Sequence, residues 1–196
     1  LCDFFDGFFA KLLKIKSKLG AQLDSLSDLV TFGMSSSVVI FVLLNNSTFI
    51  IQNSHNTYIQ LIPFLSFLIT IASSYRLAKF NLDDNESYFE GLPTPANALL
   101  IVFMPFLLNN QFTIQYVWLL ENIFFLIFLI FSSSFLLNCK LKMFSFKVKS
   151  LTFENKNKIE FGFLLTSIIL LMIFNLGALP LIIIIYIIIN LFRIKF

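Results

Sequence analysis

Long apolar runs alternate with short polar stretches along the whole chain. The runs are far longer than a strand and carry no alternation of period two, so they predict helices. The first runs from the start of the chain to about Leu13 and is followed by a basic turn with Lys14, Lys16 and Lys18. A second helix is predicted from about Gly20 to Leu44, a polar loop over Asn45 to Thr57, and a third helix from about Tyr58 to Lys79. Phe80 to Leu92 is polar and acidic, with Asp83, Asp84, Glu86 and Glu90. Gly91-Leu92-Pro93-Thr94-Pro95 then reads as the start of a fourth helix that ends near Leu108. A fifth is predicted from about Ile114 to Leu137, and a basic loop over Asn138 to Lys158. Two shorter apolar runs finish the chain, Phe161 to Phe174 and Ala178 to Phe192, split by Asn175, Gly177 and Pro180. They read either as two thin spans or as one re-entrant pair.

Spanning the hydrocarbon core takes about 20 apolar residues, so the pattern predicts an all-α, polytopic transmembrane helix bundle of about six to seven helices. Composition agrees. The chain is 58% hydrophobic and 13% charged, with a mean hydropathy of +0.87, which excludes an ordinary soluble domain. Residues 1–196 read as a single membrane domain without internal repeats. The chain opens on Leu1 rather than Met, and its first helix has almost no upstream half, which predicts a further N-terminal segment.

Charge sharpens the topology. All 14 Lys and Arg residues fall in alternate loops or at the C-terminus, and the intervening loops around 45–57, 109–113 and 175–177 have none. Under the positive-inside rule this favours two thin final spans and sets the basic loops, with the start of the chain, on the cytoplasmic side. A net charge of +3 is too small to argue for nucleic acid. Cys2 and Cys139 lie far apart and form no metal or redox pattern. The single histidine, His55, sits in a polar loop, which counts against a His-based hydrolase.

The chemistry concentrates at the start. Asp3, Asp6, Asp24 and Asp28 stand among phenylalanines and leucines. Helical spacing puts Asp3, Asp6, Gly7 and Ala10 on one stripe and Gly20, Asp24 and Asp28 on another. If the two helices pack antiparallel, the four carboxylates converge, while Gly7, Ala10 and Gly20 leave room for a ligand or a neighbouring backbone. One Asp near the centre of a membrane helix costs roughly 3 kcal/mol, and four clustered ones repel each other. A divalent cation answers both costs, and all-oxygen ligation suits Mg2+, Mn2+ or Ca2+ rather than Zn2+.

The run D-x-x-D-G-x-x-A-x9-G-x3-D-x3-D, filled here by Asp3, Asp6, Gly7, Ala10, Gly20, Asp24 and Asp28, resembles the signature of the CDP-alcohol phosphatidyltransferases. Lys11 stands where that family usually has Arg. Further segments are similar to the bacterial phosphatidylserine synthase branch. They are Leu23-Asp24-Ser25-Leu26-Ser27-Asp28 through Gly33, Arg76-Leu77-Ala78-Lys79-Phe80-Asn81, Tyr88 through Ala96, and Phe144-Ser145-Phe146-Lys147. Met34-Ser35-Ser36 and Lys79 depart from that pattern, and lysine keeps the charge but loses the bidentate fork.

The resemblance implies an enzyme that takes CDP-diacylglycerol and L-serine to phosphatidylserine and CMP. It implies Mg2+ or Mn2+ held by Asp3, Asp6, Asp24 and Asp28, with Asp28 also acting as general base. It implies CDP-diacylglycerol binding at Gly7, Ala10, Lys11 and Gly20, a homodimer, and a bacterial cytoplasmic membrane with the active site facing the cytoplasm. Serine is a zwitterion, so its carboxylate wants a cation. Arg76 is the best candidate and Lys79 the next, unless both are ordinary interfacial positive charges. Lys142, Lys147 and Lys149 read as contacts to anionic lipid. Three alternatives remain: the same chemistry on glycerol 3-phosphate or inositol phosphate, a cation transporter, and an inactive remnant. The second helix turns apolar after Ser37, which disfavours a transporter. Glu121, inside the fifth predicted helix, has no assigned role.

Overall fold

The computed structural model describes residues 18–82, 89–109, 117–143 and 158–193. The first expected helix lies outside these residues, and with it Asp3, Asp6, Gly7, Ala10 and Lys11. Lys147 and Lys149 also lie outside.

The described chain is a helical bundle. Helix α1 comprises Lys18–Asp28, a π-helical segment Leu29–Met34, and Ser35–Asn45. A short α2, Thr48–Gln52, occupies the loop expected to be irregular. Helix α3 comprises Thr57–Gln60, the 3-10 turns Ile62–Phe67, and Leu68–Leu82. Helix α4 is Thr94–Val102 and runs on into 3-10 turns over Met104–Asn109. The fifth expected helix is two: α5, Val117–Glu121, and α6, Ile123–Asn138. Asn122 makes the break. Its side chain accepts from the backbone N–H groups of Phe124 and Phe125 and caps α6, leaving Glu121 exposed at the last residue of α5. Helices α7, Lys158–Phe174, and α8, Ala178–Arg193, end the bundle.

For α7 and α8 the pattern of basic loops favours two thin spans over a re-entrant pair. Phe161–Phe192 is one apolar stretch of 32 residues, yet it does not run straight. The rings of Phe163 and Tyr186 meet at a centroid distance of 6.1 Å, so the two helices fold back on each other. The turn is the 3-10 segment Asn175–Gly177, opened by Asn175 at φ 50°. At 1.5 Å per residue each arm is about 25 Å long, a little under the thickness of a bilayer core. By contrast Leu19–Asn45 and Thr57–Leu82, at 27 and 26 residues, are long enough to cross with some tilt. The chain is an integral membrane protein.

Among the described residues α3 packs most extensively against α1 and next against α6, while α4 packs against α1 and α8. Ile40, Leu44, Ile69, Ile101, Leu126 and Ile130 form the buried centre. Apolar contact discriminates poorly in lipid, so polar groups and small residues set the register. At the α1–α3 crossing Gly33 meets Ser73 so closely that an added Cβ would lie 3.0 Å from the Ser73 Cβ. One turn on, the Ser37 hydroxyl pairs with Thr70 Oγ1 at 2.7 Å and accepts from the Thr70 N–H at 3.1 Å. Toward the opposite end of the crossing, Asn81 Nδ2 donates to Ser25 Oγ at 2.9 Å. These rungs run antiparallel. From Ser25 to Ser37 α1 takes twelve steps, while α3 takes eleven from Asn81 to Thr70. The π segment lies between the two rungs on α1, and a π turn absorbs one surplus residue.

The only β pairing among the described residues is a two-residue antiparallel ladder, which the sequence did not predict. Phe89 (β1, Phe89–Glu90) faces Met143, and Glu90 faces Lys142 (β2, Lys142–Met143). It ties the connection before α4 to the end of α6.

Candidate active site

Helical geometry holds where the acidic stripe is described. Gly20, Asp24 and Asp28 lie at successive turns on one face of the first part of α1. Asp24 is exposed and Asp28 half-buried. Asp28 is the last residue before the π segment. The other half of the expected cluster, Asp3 and Asp6, lies outside the described residues. Among the described residues no three His, Cys, Asp or Glu side chains gather into a metal site. The pair that is present still fits a divalent cation, because two carboxylates one turn apart on an accessible face supply hard oxygen ligands.

Around this face the quoted segments meet. The first contact joins Ser25, next to Asp24, to Asn81, the last residue of the Arg76–Asn81 segment, and Gln22 Oε1 lies 3.5 Å from the Asn81 amide nitrogen. Asp28 also lies near enough to Arg76 for their charges to interact across the α1–α3 interface. The second contact joins Arg76 Nη1 to Thr94 Oγ1 at 2.9 Å. Arg76 is half-buried, and its Nε is buried with no hydrogen-bond partner among the described residues. Lys79, one turn further along α3, is exposed.

Thr94 reaches Arg76 because of the turn before it. Gly91 has φ 73°, a left-handed conformation that a side chain disfavours, and an added Cβ would lie 2.5 Å from the Leu137 carbonyl oxygen. Its N–H donates to the Leu141 carbonyl at 2.9 Å, and the Leu92 N–H donates to the Leu136 carbonyl at 2.8 Å. The Leu136 carbonyl, one of the last four of α6, is thus satisfied by the turn, and Leu141, just past the helix, is tied to it as well. Read from sequence as a helix start alone, the turn is also a dock. Deeper in the bundle, Ser133 Oγ donates to Asn97 Oδ1 at 2.6 Å and links α6 to α4.

The contacts of Ser25, Thr94 and Asn97 were not read from the sequence. The available signal was small polar residues at helical spacing inside apolar helices, which in lipid are kept for interhelical hydrogen bonds.

Comparison with known proteins identifies the class. The profile of the CDP-alcohol phosphatidyltransferase family matches residues 1–134, and the chain belongs to that family. Its members work with divalent cations. The chain is 31% identical over 112 residues to the CDP-diacylglycerol–serine O-phosphatidyltransferase of Bacillus subtilis (strain 168), covering 55% of each chain. The protein of that name from Saccharomyces cerevisiae is 34% identical over 105 residues, 53% of this chain and 37% of the yeast protein. That from Methanocaldococcus jannaschii is 33% identical over 108 residues, 55% of this chain and 47% of the archaeal one. The matched stretch thus spans about half the length of these curated relatives, or less.

Proposed function

We propose that this protein is a CDP-diacylglycerol–serine O-phosphatidyltransferase, which moves the phosphatidyl group of CDP-diacylglycerol to the hydroxyl of L-serine. The observation that carries the reading is the convergence of three segments at one end of the bundle: Asp24 to Asp28, Arg76 to Asn81, and the turn ending in Thr94. The names of its relatives supply the choice of serine.

Asp3, Asp6, Asp24 and Asp28 are the residues to hold Mg2+ or Mn2+. The bound ion would neutralise the pyrophosphate and the departing CMP. Gly7, Ala10 and Gly20 leave space for the CDP end of the lipid, and Lys11 offers it a positive charge. Asp28 accepts the proton of the serine hydroxyl. The serine oxygen forms a bond to the lipid-side phosphorus, the bond from that phosphorus to the CMP oxygen breaks, and phosphatidylserine and CMP separate. Arg76 receives the serine carboxylate, with its charge and its remaining N–H donors. Lys79, exposed beside it, adds positive potential. The site faces the cytoplasm of a bacterial inner membrane, where the basic loops lie, and the protein works as a homodimer.

Radiolabel transfer in detergent micelles tests the reading. CDP-diacylglycerol and Mn2+ or Mg2+ are supplied with labelled serine, glycerol 3-phosphate or inositol phosphate in parallel. Metal-dependent label in lipid from serine alone is the expected result. Label from another alcohol keeps the family and overturns the serine assignment. No transfer from any of them, with folding verified, overturns the enzyme.

A further inference from the structure

We infer that Thr94 is a positioning residue for the acceptor site and acts through Arg76. The inference rests on the reading of Arg76 as the cation for the acceptor's carboxylate.

Three observations carry it. Thr94 is fully buried at the first position of α4, and its hydroxyl is spent on Arg76 Nη1 rather than on capping its own helix. The Leu92 N–H fixes the preceding turn to the end of α6 and the Gly91 N–H fixes it to Leu141 just beyond, and Gly91 lies so close to the Leu137 carbonyl that only glycine fits. Leu92 is itself fully buried, against Phe163, Tyr186 and Ile187 of the terminal hairpin. The Thr94 oxygen is therefore held from two sides before Arg76 reaches it.

A guanidinium is planar and carries five N–H donors in a rigid fork. One donor fixed at Nη1 restricts rotation of the fork while other donors stay available for an anion. An arginine side chain otherwise samples many rotamers, and ordering it would fall to the acceptor on binding. Thr94 removes that cost in advance. The consequence lies in acceptor binding, not in the affinity for the lipid donor.

The test compares Thr94→Val, Thr94→Ser, Arg76→Ala and the double variant Thr94→Val/Arg76→Ala, all as full chains in detergent. KM for L-serine, KM for CDP-diacylglycerol and kcat are measured separately. Equilibrium binding of labelled L-serine gives the same comparison without turnover. Thr94→Val is expected to raise the serine KM or Kd about tenfold, the scale of one hydrogen bond to a charged group, and to leave the CDP-diacylglycerol KM unchanged. Thr94→Ser restores the hydroxyl and should behave as the parent, which separates hydrogen bonding from loss of fold. The double variant should be no worse than Arg76→Ala, because Thr94 has nothing left to hold. If Thr94→Val costs the same factor with and without Arg76, or raises both KM values together, the inference is wrong. If Arg76→Ala raises the serine KM and Thr94→Val does not, the inference falls and the acceptor reading stands. If Arg76→Ala leaves serine binding at the parent value, the acceptor reading itself fails and takes the inference with it.

Discussion

The part of the bundle that carries the quoted motifs and the hairpin that ends it are both apolar, but they are held in different ways. In α1, α3, α4 and α6 polar side chains reach across: Ser25 to Asn81, Ser37 to Thr70, Arg76 to Thr94, Ser133 to Asn97. In the described part of the hairpin Thr166, Ser167 and Asn190 turn back on their own helix. Thr166 and Ser167 donate to carbonyls at Gly162 and Phe163, and Asn190 donates to the Tyr186 carbonyl. Between its arms the hairpin offers the Phe163–Tyr186 ring contact and a surface of isoleucines. The family match ends at residue 134, before the hairpin begins. Where chemistry needs fixed side chains, directional bonds set the register. Where a helix has only to support another, shape is enough, and α8 supports α4 by lying along it.

Four substitutions would break or sharpen that contrast. The largest effect is expected from Asp28→Asn. It keeps the shape and removes the base, so turnover should fall by about 10²–10⁴-fold in the radiolabel assay, far more than the modest loss of melting temperature expected from taking a charge away beside Arg76. Near-parent turnover would remove Asp28 from the role of base. Second is Gly91→Ala, which forces a side chain into a left-handed backbone against a carbonyl. The backbone strain alone is worth about 1–3 kcal/mol, and the contact adds to it. Thermal unfolding should drop sharply, and serine transfer should weaken with it. Third is Gly33→Ala at the α1–α3 crossing, where overpacking costs roughly 1–3 kcal/mol and Ser73 must give way by a few tenths of an ångström. A moderate fall in melting temperature is expected. The smallest effect belongs to the hairpin. An added Cβ at Gly162, within α7, meets nothing within 4 Å, so Gly162→Ala should gain up to about 1 kcal/mol of helix propensity and leave transfer unchanged. Loss of activity there would show that the hairpin is more than a support.

Hydropathy alone places the long helices: the expected Gly20 to Leu44 and Tyr58 to Lys79 fall within the helical Lys18–Asn45 and Thr57–Leu82 stretches. Where it falls short, the cause is local chemistry inside an apolar run or contact between distant segments. Asn122 ends α5 and caps α6, yet a single amide does not interrupt a hydropathy pattern that continues on both sides. The hairpin's sense depends on Phe163 finding Tyr186, and no spacing announces that. The aspartate stripe Gly20, Asp24, Asp28 was legible because it lies on one regular piece of helix. The Arg76–Thr94 bond was not, since the two residues sit on different helices joined through an acidic connection. The turn's glycine signals a left-handed backbone, but its docking partner is forty-odd residues away, at Leu137.

The surplus residue in α1 fixes an angle as well as a count. Each residue added to a helix turns everything before it by about 100° relative to everything after it. Ser37 and the aspartates belong to one continuous helix, but their relative azimuth is the one the π segment Leu29–Met34 leaves, not the one an ideal helical wheel would draw. Ser37 is thus free to face Thr70 while Asp28 stays within electrostatic reach of Arg76. Deleting Val30, within that segment, would relax it to plain α-helix without removing any of the polar groups or the glycine named above. It would swing Asp28 away from Arg76 like a dial moved by one division.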